Sequence, residues 1–256
     1  MCELFGVCSV RPLEINEYLK EFYSHSDRNP DGWGMAVLDG TEASTEKEPL
    51  RADRSVYLRE RISVPVRERI VLAHIRRASI GSISYRNCHP FSGKDCSGRR
   101  WTLIHNGTIF DYPPLNRLFY CQEGGTDSER IFLFLLERVN QAIQAAGPPD
   151  APERFRILNE TVCEMAPGNR LNLLIYDGEC LYVHTNYANS LYHLQKKGQA
   201  IFSTQPLSRE NWEPVAMTTL LAYKDGELLF RGTDHGAEYI DNNEDTKYLY
   251  QIYSEL

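Results

Sequence analysis

Four short polar motifs in the first half of the chain carry side chains with complementary chemistry. Cys2 stands directly after Met1, so removal of the methionine would leave a thiol and a free α-amine on one residue. An α-amine has a reference pKa of about 7.7–8.0, so roughly a tenth or more is neutral near pH 7 and able to take the thiol proton, directly or through water. One residue then supplies both nucleophile and base. Ala73-His74-Ile75-Arg76-Arg77-Ala78-Ser79-Ile80-Gly81 begins apolar and turns polar, as a strand opening into a loop does. An arginine there can grip a carboxylate through two parallel N–H donors, with the Ser79 hydroxyl as a further donor. His105-Asn106-Gly107 sets an asparagine amide beside a glycine N–H, the pair of donors that an oxyanion hole needs, although Asn-Gly is also a common turn dipeptide. In Gly125-Thr126-Asp127-Ser128-Glu129, Asp127 could pair with a substrate ammonium or simply favour the positive end of a helix.

Such side chains need rigid supports, and the apolar periodicity indicates them. Leu4 to Val10, Gly34 to Leu38, Ile70 to Ile75 and Trp101 to His105 read as strands. Ile15, Tyr18, Leu19 and Phe22 recur at helical spacing, and Val56 to Ile62 predicts a second short helix. Thr126 with Glu129 makes a capping-box pattern ahead of a stripe of Ile131, Leu135, Val139, Ala142 and Ile143 that runs to Gly147. Another helix spans about Glu153 to Met165, after a Gly147-Pro148-Pro149-Asp150 loop. Leu171 to Tyr176 and Cys180 to Thr185 flank Asp177-Gly178, and Leu220 to Lys224 and Leu228 to Arg231 flank Asp225-Gly226, each dipeptide placed as a tight hairpin turn would need. Strands, then helices, then strands predict an α+β chain of antiparallel sheets with helices outside them. No repeat or linker divides residues 1–256, which read as one domain with a solvent-facing acidic tail after Asp241.

Composition narrows the classes. A formal charge of −7 disfavours attraction to nucleic acid, and the basic stretch Arg51 to Arg69 is diluted by Asp53, Glu60 and Glu68 into a solvated face. No apolar run approaches the roughly 20 residues that span a bilayer, and the start lacks a secretion signal, so a cytoplasmic location without membrane partners is expected. Seven cysteines form no CxxC pair, which argues against a disulfide framework and for mostly buried, inert thiols. Cys88, His89, Cys96 and His105 match no common zinc spacing, so neither a metal nor another cofactor is expected.

Taken in order, MCELFGV, Arg28-Asn29-Pro30-Asp31-Gly32-Trp33-Gly34, AHIRRAS, Asn87-Cys88-His89-Pro90-Phe91, HNG and TDSE resemble the class II, N-terminal-nucleophile glutamine amidotransferases, and in particular their short stand-alone branch. The resemblance covers residues 2 to 130 and implies a four-layer αββα sandwich of two antiparallel sheets between helices. It further implies Cys2 as nucleophile, the Asn106 side chain and Gly107 N–H as oxyanion hole, Arg76 on the α-carboxylate and Asp127 on the α-ammonium of a γ-glutamyl group. Ser79 would support binding, Arg28 would lie near the nucleophile, and His89 and His105 would organise the pocket rather than act as bases. Asn29 stands where the family commonly has glycine, which points to a left-handed backbone there. Arg77 stands where many synthase-linked members have an aromatic residue.

Three functions fit these residues. An ammonia-releasing glutaminase would work with a separate synthase, for which this chain has no room. A self-sufficient hydrolase would act on a γ-glutamyl peptide or conjugate. A silent module would retain the pocket for binding alone. All three take glutamine or a γ-glutamyl small molecule, and all are compatible with a homo-oligomer. Arg76 and Asp127 would read the amino-acid end common to these ligands, so selectivity is expected elsewhere, in the loops Tyr85 to Lys94 and Tyr112 to Gly125.

Overall fold

The computed structural model describes residues 2–39 and 42–242. The first sheet has seven strands in the order β11-β9-β10-β1-β4-β2-β3. These are β1 (Glu3–Glu14), β2 (Trp33–Asp39), β3 (Glu42–Glu48), β4 (Arg67–Ile75), β9 (Tyr192–Lys196), β10 (Gln199–Ser203) and β11 (Glu213–Pro214). The second has six in the order β13-β12-β8-β7-β6-β5, formed by β5 (Phe91–Lys94), β6 (Arg100–Thr108), β7 (Arg170–Tyr176), β8 (Leu181–His184), β12 (Leu221–Lys224) and β13 (Glu227–Arg231). Every pairing is antiparallel.

Three apolar layers follow from strand alternation, which sends successive side chains to opposite faces. Phe5, Val7, Val71, Ala73 and Ile75 pack outward with Ile15, Leu19 and Phe22, the last two on helix α1 (Asn16–Ser24), and Leu58 of helix α2 (Val56–Arg61). Leu103, Leu171 and Leu173 pack outward beneath helices α3 (Asp127–Ala146) and α4 (Ala151–Met165). Leu4, Leu72, Ile104, Leu174, Val183 and Phe202 fill the space between the sheets. The result is the α+β architecture of two antiparallel sheets between helices that the sequence predicts.

Local signals account for most boundaries. Thr126 Oγ1 accepts the Glu129 N–H at 3.2 Å, but the Glu129 carboxylate does not close the capping box. It turns instead to the N–H groups of Glu123 and Gly124, at 2.7 and 2.8 Å, and so pins the loop before α3. Asp150 caps α4, which therefore starts two residues before the expected Glu153. Asp225 and Gly226 both have positive φ, 52° and 79°, as a tight hairpin turn of this type requires. At the other hairpin only Gly178 is left-handed, at 88°, while Asp177 uses its carboxylate to accept the Glu179 and Cys180 N–H groups. Edge strand β3 has no apolar alternation and is absent from the sequence expectation; its charged side chains suit an unpaired sheet edge. The acidic tail lies outside the described residues beyond Asn242.

Asn29 departs from expectation in a useful way. It is not among the described residues with positive φ. It is buried, and its amide donates to Glu3 Oε1 and the His25 carbonyl, both at 3.3 Å, so the side chain ties the segment to the start of β1.

Candidate active site

The apolar layer between the sheets turns polar at one end, and strand alternation makes it do so on several strands together. Two residues beyond Leu4 stands Cys2; beyond Leu72 come His74 and Arg76; beyond Ile104 comes Asn106; beyond Leu174, in the opposite chain direction, come Asn172 and Arg170. The pairing of Glu3 with Ile75 sets Cys2 beside the Arg76-Arg77 step. Cys2 Sγ lies 3.3 Å from both the Arg77 N–H, which donates to it, and the Arg77 carbonyl, to which the thiol donates. Burial raises the thiol pKa, the Arg77 N–H and the Arg76 guanidinium oppose that rise, and Asp127 adds to it. The thiol therefore senses both charged residues that the sequence singles out.

On β6, Asn106 is buried and its Nδ2 has no hydrogen-bond partner among the described residues. Leu171, opposite Gly107, gives its N–H to Asn186 Oδ1 and accepts from His184 Nδ1, so Gly107 is turned away from β7 toward the edge beyond β5. A Cβ at Gly107 would lie 1.9 Å from the Arg170 carbonyl oxygen and 2.6 Å from His105 Nε2, so only glycine fits. On the same edge the Ile109 N–H donates to Asp127 Oδ2 at 2.9 Å, and Asp127 Oδ1 accepts the Ser128 N–H at 2.9 Å. These bonds fix a buried carboxylate at the start of α3.

Three buried histidines lie close by. His74 stacks on His89 with ring centroids 4.0 Å apart, and His89 meets Phe91 edge-on at 4.7 Å. His74 Nε2 lies 3.2 Å from the His105 carbonyl, so this nitrogen carries the proton. His105 Nδ1 lies 2.9 Å from the Ser128 hydroxyl. Burial pushes all three imidazoles below their ordinary range, His74 to about 3. They are neutral near pH 7.

The match to the family model for class II glutamine amidotransferases, over residues 1–198, settles the family. The chain belongs to the class II glutamine amidotransferases. YafJ of Escherichia coli K12, which carries a glutamine amidotransferase name, is 28% identical over 200 residues, 77% of each chain. The γ-glutamyl-hercynylcysteine sulfoxide hydrolase of Mycolicibacterium smegmatis is 25% identical over 221 residues, 85% of this chain and 88% of that one. The glutamine phosphoribosylpyrophosphate amidotransferase of Bacillus subtilis shares the fold, with a TM-score of 0.65 at 15% identity over 89% of this chain and 48% of that one. This class II amidotransferase is thus a member of an enzyme family, and among its described residues no helix is long and apolar enough to cross a membrane.

Other expected site residues sit differently within this amidotransferase. The Arg76 guanidinium is buried and donates to the carbonyls of Ile80, Gly81 and Ser82 at 2.9, 2.9 and 3.1 Å. Three of its five N–H donors therefore shape its own loop, and the two-donor carboxylate grip is not preformed. Ser79 is half-buried on that loop, and its hydroxyl has no partner among the described residues. Arg28 is exposed at the end of a 3-10 turn, with no side-chain bond to the site. The tie between its segment and the nucleophile comes from neighbours: Asp31 Oδ2 accepts the Ala78 N–H at 2.8 Å, and Asn29 reaches Glu3. Cys88 and His89 are buried near the site, but Cys96 is exposed on another loop, and no three His, Cys, Asp or Glu side chains among the described residues converge as a metal site. Sequence reasoning missed Arg170. Its signal was available, because it shares the inward alternation of Asn172 and Leu174 in a strand otherwise apolar.

Proposed function

We propose that residues 1–256 act as one amidohydrolase domain, which cleaves the γ-amide of glutamine or of a γ-glutamyl compound through a thioester on Cys2. The buried, unpartnered Asn106 Nδ2 carries this reading, because a desolvated donor without an acceptor is costly unless an anion arrives there during turnover. After Met1 is removed, the Cys2 α-amine takes the thiol proton while Sγ bonds to the γ-carbon and an electron pair moves to the carbonyl oxygen. Asn106 Nδ2 and the Gly107 N–H hold that oxyanion. Collapse breaks the C–N bond, the α-ammonium returns its proton to the departing amine, and water then hydrolyses the thioester to glutamate and free Cys2. Asp127 pairs with the α-ammonium. Arg76 offers the α-carboxylate the two donors that its loop leaves free, and the half-buried Ser79 hydroxyl supports it.

An electrophilic glutamine analogue tests the reading directly. The processed chain should be labelled once, at Cys2, and Cys2→Ala should bind glutamine without turnover. Full amidase activity in Cys2→Ala would refute it, and absence of labelling would favour a silent binding module. Comparing free glutamine with γ-glutamyl compounds separates an ammonia-supplying subunit from a self-sufficient hydrolase.

A further inference from the structure

Asn106 also lines a cleft of about 460 Å3 whose walls include Arg170, Tyr187, Asn189, Tyr192 and Thr204. One end adjoins the nucleophile. Thr204 Oγ1 accepts the Leu4 N–H at 2.8 Å, the Thr204 N–H donates to the Leu4 carbonyl at 3.0 Å, and Gln205 Nε2 donates to Glu3 Oε1 at 2.9 Å. The cleft thus runs along the residues that follow Cys2.

Its other wall holds an unusual cation. Arg170 is 7% exposed, its guanidinium lies 4.0 Å over the Tyr187 ring, and Nε and Nη2 are buried with no hydrogen-bond partner among the described residues. The carboxylate that faces it, Asp241, is 3.9 Å from Nη1, is 59% exposed, and already accepts the Tyr187 hydroxyl. A buried guanidinium so poorly paired is costly to the fold unless an anion completes it. In the amidohydrolase reading free glutamine gives that cation no role, since its leaving group is ammonia and its amino-acid end is assigned to Arg76 and Asp127. The cleft opens beside Asn106 and has room for a departing amine larger than ammonia.

We propose that this cleft is the leaving-amine subsite, that Arg170 pairs there with a carboxylate on the departing amine, and that the substrates are γ-glutamyl derivatives of amino acids. The inference rests on the amidohydrolase reading above. Tyr187 holds the guanidinium plane from below, and Asn172, hydrogen-bonded to Ser190 at 2.8 Å and to Thr185 at 2.7 Å, stiffens the adjoining wall.

The test uses the Met1-processed chain with γ-glutamylalanine and γ-glutamylalaninamide, which differ at the departing carboxylate. Wild type should prefer the carboxylate by about tenfold or more in kcat/KM, as expected for charge-assisted hydrogen bonds to a desolvated partner. Arg170→Gln should bring that ratio close to one, and Arg170→Lys should leave an intermediate ratio, because a point charge replaces the fork. A wild-type ratio near one, or a ratio that survives Arg170→Gln, would overturn the subsite while leaving the amidohydrolase intact. Hydrolysis of neither compound nor of glutamine would overturn the amidohydrolase itself. Should Arg170→Gln fail to fold, the wild-type ratio alone decides.

Discussion

Replacing Asn106 with alanine should separate stability from activity. The amide Nδ2 is buried and bonds to nothing among the described residues, so the resting fold gains no hydrogen bond from it and bears part of its desolvation cost, about 1–3 kcal/mol for an unsatisfied group. Asn106→Ala removes that cost and leaves a small void beside a cleft that is already open, so the two effects oppose each other. The net change in unfolding free energy should stay within about 1 kcal/mol. In the proposed transition state the same donor faces a full oxyanion, and its loss should lower kcat by about 100-fold to 1000-fold, or about 2.7–4 kcal/mol. Urea denaturation supplies the first quantity and steady-state ammonia or amine release supplies the second. Turnover within threefold of wild type would remove Asn106 from the oxyanion hole. Loss of activity together with destabilisation well beyond 2 kcal/mol would show instead that the amide is a structural member of the sheet.

Three further perturbations follow from the same geometry. Burial holds His74 and His184 down to about 3, so both are neutral when folded and protonate more readily when unfolded. Their contribution is present above the unfolded pKa of about 6.5 and is lost as pH falls, by about 2 kcal/mol each between pH 7.5 and 5; a denaturation midpoint that does not move over this window would refute it. His25 has the opposite sign: its bond to Glu3 raises its pKa, so that contribution is complete below about 6.5 and lost as pH rises through the folded value. Arg154→Met would strand the fully buried Asp177, which it contacts at 2.6 Å, and should cost about 3–5 kcal/mol, with partial recovery in Arg154→Met/Asp177→Asn measured by thermal unfolding. Gly107→Ala must move backbone rather than a flexible side chain, so it should lower both melting temperature and turnover; a variant with wild-type kcat would show that the β6–β7 contact is not part of the site.

What the sequence could reveal depended on where each signal resides. The α3 start was legible because Thr126 and Glu129 act within one turn, and β1, β4 and β6 were legible because their apolar runs are local. Polar edge strand β3 was not, since its place comes from pairing with β2 along its whole length rather than from its own residues. The site divides in the same way. Cys2, Arg76, Asn106-Gly107 and Asp127 stood out as motifs, and the fold gathers the strand ends of the first three at one end of the inter-sheet layer, with the start of α3 tied to Ile109 after β6. Arg170 belongs to no motif; its signal is the inward alternation it shares with Asn172 and Leu174, and its place beside the other candidate residues appears only when β1, β4, β6 and β7 are followed past the apolar layer. A two-sheet sandwich therefore conceals its specificity in a particular manner. The residues proposed to react sit on motifs at loops and strand ends, whereas Arg170, proposed to meet the variable part of a substrate, occupies an ordinary strand position. Arg170 also sits where its carbonyl, 1.9 Å from any Cβ at Gly107, enforces the glycine proposed for the oxyanion hole. In the proposed mechanism one strand start thus couples the geometry of the common chemistry to the selection of what leaves.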